Sequence, residues 1–142
     1  MQQDYSEALK WYRKAAEQDF VYAQSILGHL HREGDGVQQD YSEALKWYRK
    51  AADQGYASAQ YYLGLMYRKG EGVKQDLAEA VKWYRKAADQ GDSDAQNSLG
   101  LRYRDGEGVA QNHTEAIRWF RKAAAQGNEK AKRSLQRLGV NQ

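Results

Sequence analysis

His29, His31 and His113 are the only histidines, and cysteine is absent. Metal or nucleophile chemistry would therefore need these three or the carboxylates. Residues two apart on a helix point to different faces, so His29 and His31 do not share a metal ion. His113 falls in the first turn of another helix, and no Ser–His–acid grouping follows from position. Glu33, Asp35, Glu71, Asp105 and Glu107 gather near glycine links, but none of these links supplies the many converging oxygens of a calcium loop. The links themselves (Gly34/Gly36, Gly70/Gly72, Gly106/Gly108) follow helices and precede no Lys-Ser/Thr pair, so they read as helix caps and turns, not phosphate loops. The expectation is no catalytic residue, no metal site, no cofactor and no enzyme.

The elements that position these residues repeat. Residues 10–16, 46–52, 82–88 and 118–124 are nearly superimposable, which places Trp11, Trp47, Trp83 and Trp119 at one phase of a 36-residue period. A fixed period of this length marks a solenoid, in which each unit buries its apolar face against its neighbours. Each Trp sits at the centre of an apolar helix face and reads as core, not as a ligand-stacking platform.

One unit shows how the helices arise. After Asp40 and Glu43, the residues Ala44, Trp47, Tyr48, Ala51 and Ala52 recur at helical spacing, with Lys46 and Lys50 opposite. Asp40 suits an N-cap and Glu43 a reciprocal capping box; Asp4/Glu7, Asp76/Glu79 and Asn112/Glu115 repeat the pair. Gly55, Gly91 and Gly127 close these helices, with Asp19 in the first unit. A second helix buries Ala59, Tyr62, Leu63, Met66 and Tyr67. Within it Gly64, like Gly28 and Gly100, marks the close passage of another helix. Eight helices are predicted, near residues 4–18, 21–33, 40–54, 57–69, 76–90, 93–105, 112–126 and 129–138. Lys130, Lys132, Arg133, Gln136 and Arg137 make the last one polar, as a C-terminal cap requires.

Composition narrows the rest. The net charge of +3 comes from interspersed signs, which gives weak warrant for nucleic-acid binding. No apolar run reaches the roughly 18 residues of a membrane span. Residues 1–5 match the interior of a unit, so the chain is expected to be a piece of a longer protein whose compartment is unread.

The pattern Ala59-x3-Leu63-Gly64-x2-Tyr67-x2-Gly70-x-Gly72-Val73, then Asp76-x3-Ala80-x2-Trp83-Tyr84-x2-Ala87-Ala88-x2-Gly91, resembles the Sel1-like repeat, a relative of tetratricopeptide arrays. The resemblance covers essentially the whole chain. It implies an all-α, right-handed α/α superhelical solenoid of antiparallel helix pairs acting as an adaptor. The array divides into a half unit at 1–19, full units at 20–55, 56–91 and 92–127, and a cap at 128–142. Departures from the family pattern are Gln38, Lys74 and Ala110 where Pro often stands, His31 for Tyr, and Asp19 for Gly.

By the same resemblance, the second helix of each pair described above lines a concave groove. Its variable face reads Tyr22, Ser25, His29 and Arg32, then Ser58, Tyr61, Leu65 and Arg68, then Asp94, Asn97, Leu101 and Arg104. Exposed Tyr, Leu and Arg are what protein interfaces favour. The three arginines could fork onto carboxylates of an acidic protein or peptide, or pair with nearby loop acids. No nucleic-acid partner is expected, because Asp94 and scattered acids interrupt the basic face. The alternative to an adaptor is a structural spacer or a self-associating repeat fragment, joined through a first helix that lacks an upstream neighbour.

Overall fold

The computed structural model describes residues 2–140, with side chains from residue 6 onward. Among the described residues it consists of eight helices and no strand: α1 (Gln2–Glu17), α2 (Val21–Glu33), α3 (Tyr41–Asp53), α4 (Ala57–Lys69), α5 (Leu77–Asp89), α6 (Ser93–Asp105), α7 (His113–Ala125) and α8 (Glu129–Arg137). Each helix packs on the next in chain order, and the core runs along the row as a large cluster from α3 to α8 and a smaller one of Ala16, Ala23, Leu27 and Trp47 at the first helices. This is an all-α repeat solenoid. No described helix is long and apolar enough to cross a membrane.

The cap residues act at their expected positions. Asp40, Asp76 and Asn112 accept from the backbone N–H of Glu43, Glu79 and Glu115 at 3.1, 3.0 and 3.0 Å. The reciprocal half of the capping box does not form. The backbone N–H groups of Asp40, Asp76 and Asn112 donate instead to the carbonyls of His31, Tyr67 and Tyr103, at 2.8, 2.9 and 2.9 Å. That contact ties the start of each odd helix to the last turn of the even helix before it, and frees the glutamates. Glu43 and Glu79 then pair with Lys46 and Lys82, and Glu115 with Arg118. The expected pair at Asp4 differs: α1 already runs from Gln2, and the Asp4 side chain lies outside the described residues.

Close approach explains the mid-helix glycines. A Cβ on Gly64 would meet the Tyr84 ring at 2.9 Å, and one on Gly100 would meet Phe120 at 2.6 Å. At the helix ends, Gly55 has φ +88°, and Asp19 holds the equivalent left-handed conformation at φ +66°.

Packing of Trp follows the repeat. Trp47, Trp83 and Trp119 are buried, Trp47 against Ala16, Ala23 and Leu27 of the preceding helix pair. Trp11 has no such pair before it among the described residues and is 62% exposed. At the other end α8 closes the row. Ala131 and Leu135 are buried, Val140 N–H returns to the Leu135 carbonyl at 2.9 Å, and Leu138 and Val140 pack on the core.

A glutamine ladder, which sequence reading missed, joins the units. Gln54, Gln90 and Gln126 donate to the side-chain carbonyls of Gln24, Gln60 and Gln96 at 2.8, 2.8 and 2.9 Å. Those buried glutamines donate in turn to the carbonyls of Ala16, Ala52 and Ala88. Each rung thus gives a second donor to a helix-end carbonyl that already accepts the backbone N–H of Asp19, Gly55 or Gly91.

Candidate functional site

The even-numbered helices present one face, and the residues singled out from sequence lie along it. Tyr22, Ser25 and His29 of α2 line a concavity of about 230 Å³ together with Ser58 and Tyr62 of α4. Asn97, Leu101 and Arg104 of α6 line another of about 440 Å³ with Lys130, Arg133, Ser134 and Arg137 of α8. Between them, Tyr61 of α4 packs on Tyr62 and Tyr84, and Leu65 is half-buried. Helical spacing sets these residues on one side of their helices. It did not find how deep each residue sits: Ser25 and Asn97 are buried, Tyr22 and His29 exposed.

Burial pushes the Tyr61 phenol up to about 12, with the Tyr84 ring and Asp94 adding to the effect. Tyr61 is thus a neutral hydrogen-bonding group with an apolar body, the combination that interface tyrosines use.

The three arginines behave differently from one another. Arg32 Nε donates to Glu71 at 3.1 Å and Nη1 to Glu33 at 2.6 Å. Burial opposes its charge, but the Glu71 hydrogen bond and the two carboxylates outweigh it, so its pKa is raised. Arg104 forks onto Asp105 at 2.8 and 3.0 Å, and that hydrogen bond holds the Asp105 carboxyl below its usual range. Arg68 has no carboxylate partner among the described residues. Its Nε donates to the Tyr84 hydroxyl at 3.3 Å. Acids at the helix ends and in the link after α4 therefore hold Arg32 and Arg104, and Arg68 is the rung that carries no acid among the described residues. Gln39, Gln75 and Gln111 fix the three backbones by donating to the arginine carbonyls at 2.9, 2.8 and 2.8 Å.

The histidines do not converge. His29 is exposed beside the Tyr62 ring, whereas His31 is buried with neither ring nitrogen partnered. No group of three or more His, Asp or Glu is placed to hold a metal among the described residues.

The Sel1 repeat family model matches residues 1–20, 21–56, 57–92 and 93–128. The chain belongs to the Sel1 repeat family. This Sel1 array is similar to the structure of c5321, a protective antigen of uropathogenic Escherichia coli with an SLR fold. The two share 46% identity over 89% of this chain and 27% of that one, with a TM-score of 0.88. A Sel1 repeat protein from Oxalobacter formigenes matches at 43% identity over 88% of this chain and 50% of that one, with a TM-score of 0.82. Helicobacter pylori cysteine rich protein B matches at 27% identity over 92% and 94%, with a TM-score of 0.72. No curated protein matches. The array spans about a quarter and a half of the first two structures, and a bacterial origin fits all three. Sel1 repeat proteins are in general non-catalytic protein–protein interaction scaffolds.

Proposed function

We propose that this Sel1 array is a non-catalytic adaptor, and that the face built by α2, α4, α6 and α8 is the groove in which it holds a protein or peptide. The arrangement of Tyr22, His29, Tyr61, Leu65, Leu101 and the arginines along one face, opening into two concavities, carries this reading. The residues combine apolar bodies with polar tips, as interface hot spots do. Charge favours an acidic partner over a neutral one, because Arg68, Lys130, Arg133 and Arg137 have no carboxylate partner among the described residues, whereas Lys132 pairs with Glu129. It does not favour nucleic acid, since Asp94 and the Glu33, Glu71 and Asp105 carboxylates punctuate the face. The whole of 1–142 acts as one array, with 128–142 as its cap.

Site-specific photo-crosslinkers at His29 and Leu101, on even helices, and at Lys46 and Lys82, on odd ones, test this reading. A partner that crosslinks from the first pair and not the second supports the groove. Crosslinking from the odd helices alone would move the site to the opposite surface.

A second reading rests on the N-terminal end, where Trp11, Phe20 and Tyr22 are all more than half exposed. Self-association there would appear as a size that grows with concentration and is lost in Trp11→Ala. A monomer at every concentration would remove it.

A further inference from the structure

We propose that the cleft between α6 and α8 is the anion-binding end of the groove, and that it takes the carboxylate side chains of an extended acidic peptide whose apolar residues lie toward α2 and α4. This rests on the groove reading above.

The cleft is lined by four cations, Arg104, Lys130, Arg133 and Arg137, and by no carboxylate. Only Arg104 is paired, with Asp105; no carboxylate lies within 4.0 Å of Lys130, Arg133 or Arg137 among the described residues. The helical cation that is neutralised is Lys132, which pairs with Glu129 and does not line the cleft. Positions 130, 133, 134 and 137 recur at i, i+3, i+4 and i+7, so the cleft side of α8 is a single basic stripe. Two neutral groups complete it. Ser134 lines the wall, and Asn97 is only 5% exposed with its Oδ1 unpartnered. That Oδ1 is an acceptor, so it suits a backbone N–H of the bound peptide and not the carboxylate itself. Of the nearby acids, Asp105 is held by Arg104 and Asp94 accepts from Asn128.

Capping alone accounts for polarity on the last helix, but mixed signs would serve it as well. One sign, gathered on the side that faces α6, is a recognition feature. The cations are also spread along about 10 Å of helix, seven residues at ~1.5 Å each. That spread suits several singly charged carboxylates better than one compact phosphate. At the other end of the groove, the α2–α4 concavity is walled by Tyr22, Tyr48, Tyr56 and Tyr62 and contains no charged residue. The groove is therefore graded from aromatic to cationic. The two concavities lie two helix steps apart, roughly 16–20 Å at ~8–10 Å per step. An extended chain covers that span in about five or six residues.

The test uses a fluorescein-labelled peptide with a Leu-Phe pair at one end and a run of Glu about five residues further on. Its all-Gln counterpart and an oligothymidylate of matching length accompany it in anisotropy titrations. The Glu peptide is expected to bind at least about tenfold more tightly than the Gln peptide, with the advantage shrinking as salt rises from about 50 to about 200 mM. Arg133→Gln/Arg137→Gln, both at exposed positions, should bring the Glu-peptide affinity down to that of the Gln peptide and leave the urea melt unchanged. Lys46→Gln/Lys82→Gln on odd helices should preserve the advantage. Equal affinity for the two peptides, an advantage that survives the α8 substitutions, or tighter binding of the oligothymidylate would each overturn the proposal. If the Gln peptide still binds and Tyr22→Ala weakens it, the groove stands and only the anion subsite falls. If neither peptide binds, both fall.

Discussion

Gly72→Ala separates the two physical demands that the Gly-x-Gly links place on the chain. Gly72 has φ +71°, a left-handed conformation that costs a residue with a Cβ about 1–2 kcal/mol. A Cβ built there would also lie 2.8 Å from the Tyr41 carbonyl oxygen and 2.9 Å from its carbon, at the first residue of α3. Comfortable contacts begin near 3.5 Å, so the link or the helix start must shift by more than about half an ångström. Backbone cannot rotate away as a side chain can, and overpacking of this kind costs about 1–3 kcal/mol. The total is about 2–5 kcal/mol, a large share of a typical domain's stability of roughly 5–15 kcal/mol. Gly55→Ala is the matched control: its φ is +88°, but nothing lies within 4 Å of the new Cβ, so about 1–2 kcal/mol is expected. The loss of unfolded-chain freedom is common to both variants and cancels. Urea melts followed by circular dichroism should rank Gly72→Ala below Gly55→Ala by about 1–3 kcal/mol. Equal losses would refute the packing role of the second link glycine.

Gln60→Ala removes a buried rung, though the Ala52 carbonyl keeps the Gly55 N–H and the Gln90 amide keeps the Gly55 carbonyl. Two net hydrogen bonds at about 0.5–1.5 kcal/mol each give an expected loss of about 1–3 kcal/mol in the urea melt; a change under about 0.5 kcal/mol would show the ladder to be ornamental. His31 stands one period before Tyr67 and two before Tyr103, whose hydroxyls accept from Arg49 and Arg85. His31→Tyr gives Arg13 the same partner and should stabilise by about 0.5–1.5 kcal/mol, whereas a lower melting midpoint would show that the first unit does not admit the larger ring. Burial raises the phenol pKa values of Tyr48, Tyr61 and Tyr84, so between about 10 and the folded values the folded state holds more protons than the unfolded one. Their stability contribution is full below about pH 10 and falls as pH rises beyond it, by at most about 1.4 kcal/mol per unit for each group. The Tyr48 hydroxyl has no partner, and Phe120 fills the equivalent place, so Tyr48→Phe should be at least as stable at pH 8 and flatter in urea titrations above pH 10. An unchanged slope would clear Tyr48 of that titration.

What the sequence made legible was local or periodic. Asp40, Asp76 and Asn112 announce helix starts because a cap acts within three residues. Gly64 and Gly100 mark close passages because their cost recurs in every unit. Contacts across units were not visible. Glu71 lies 39 residues from Arg32, so two acids holding that arginine could be named only as an alternative to ligand binding. Gln54 and Gln24 are 30 residues apart, and glutamine on a helix gives no burial signal by itself. The capping-box glutamates misled because the donor they would satisfy is taken by the last turn of the preceding helix. Helical spacing set the variable residues on one side of their helices, but it carried no signal for the depth of Ser25 and Asn97, which are buried.

The central claim is that ligands are held on the even helices. Amide chemical-shift mapping of the ¹⁵N-labelled chain, titrated with the Leu-Phe/Glu peptide, tests it most directly. Shifts confined to α2, α4, α6 and α8, largest at Leu101, Arg133 and Arg137 for the Glu run, are expected. Shifts concentrated on α3, α5 and α7, with the even helices unmoved, would contradict it.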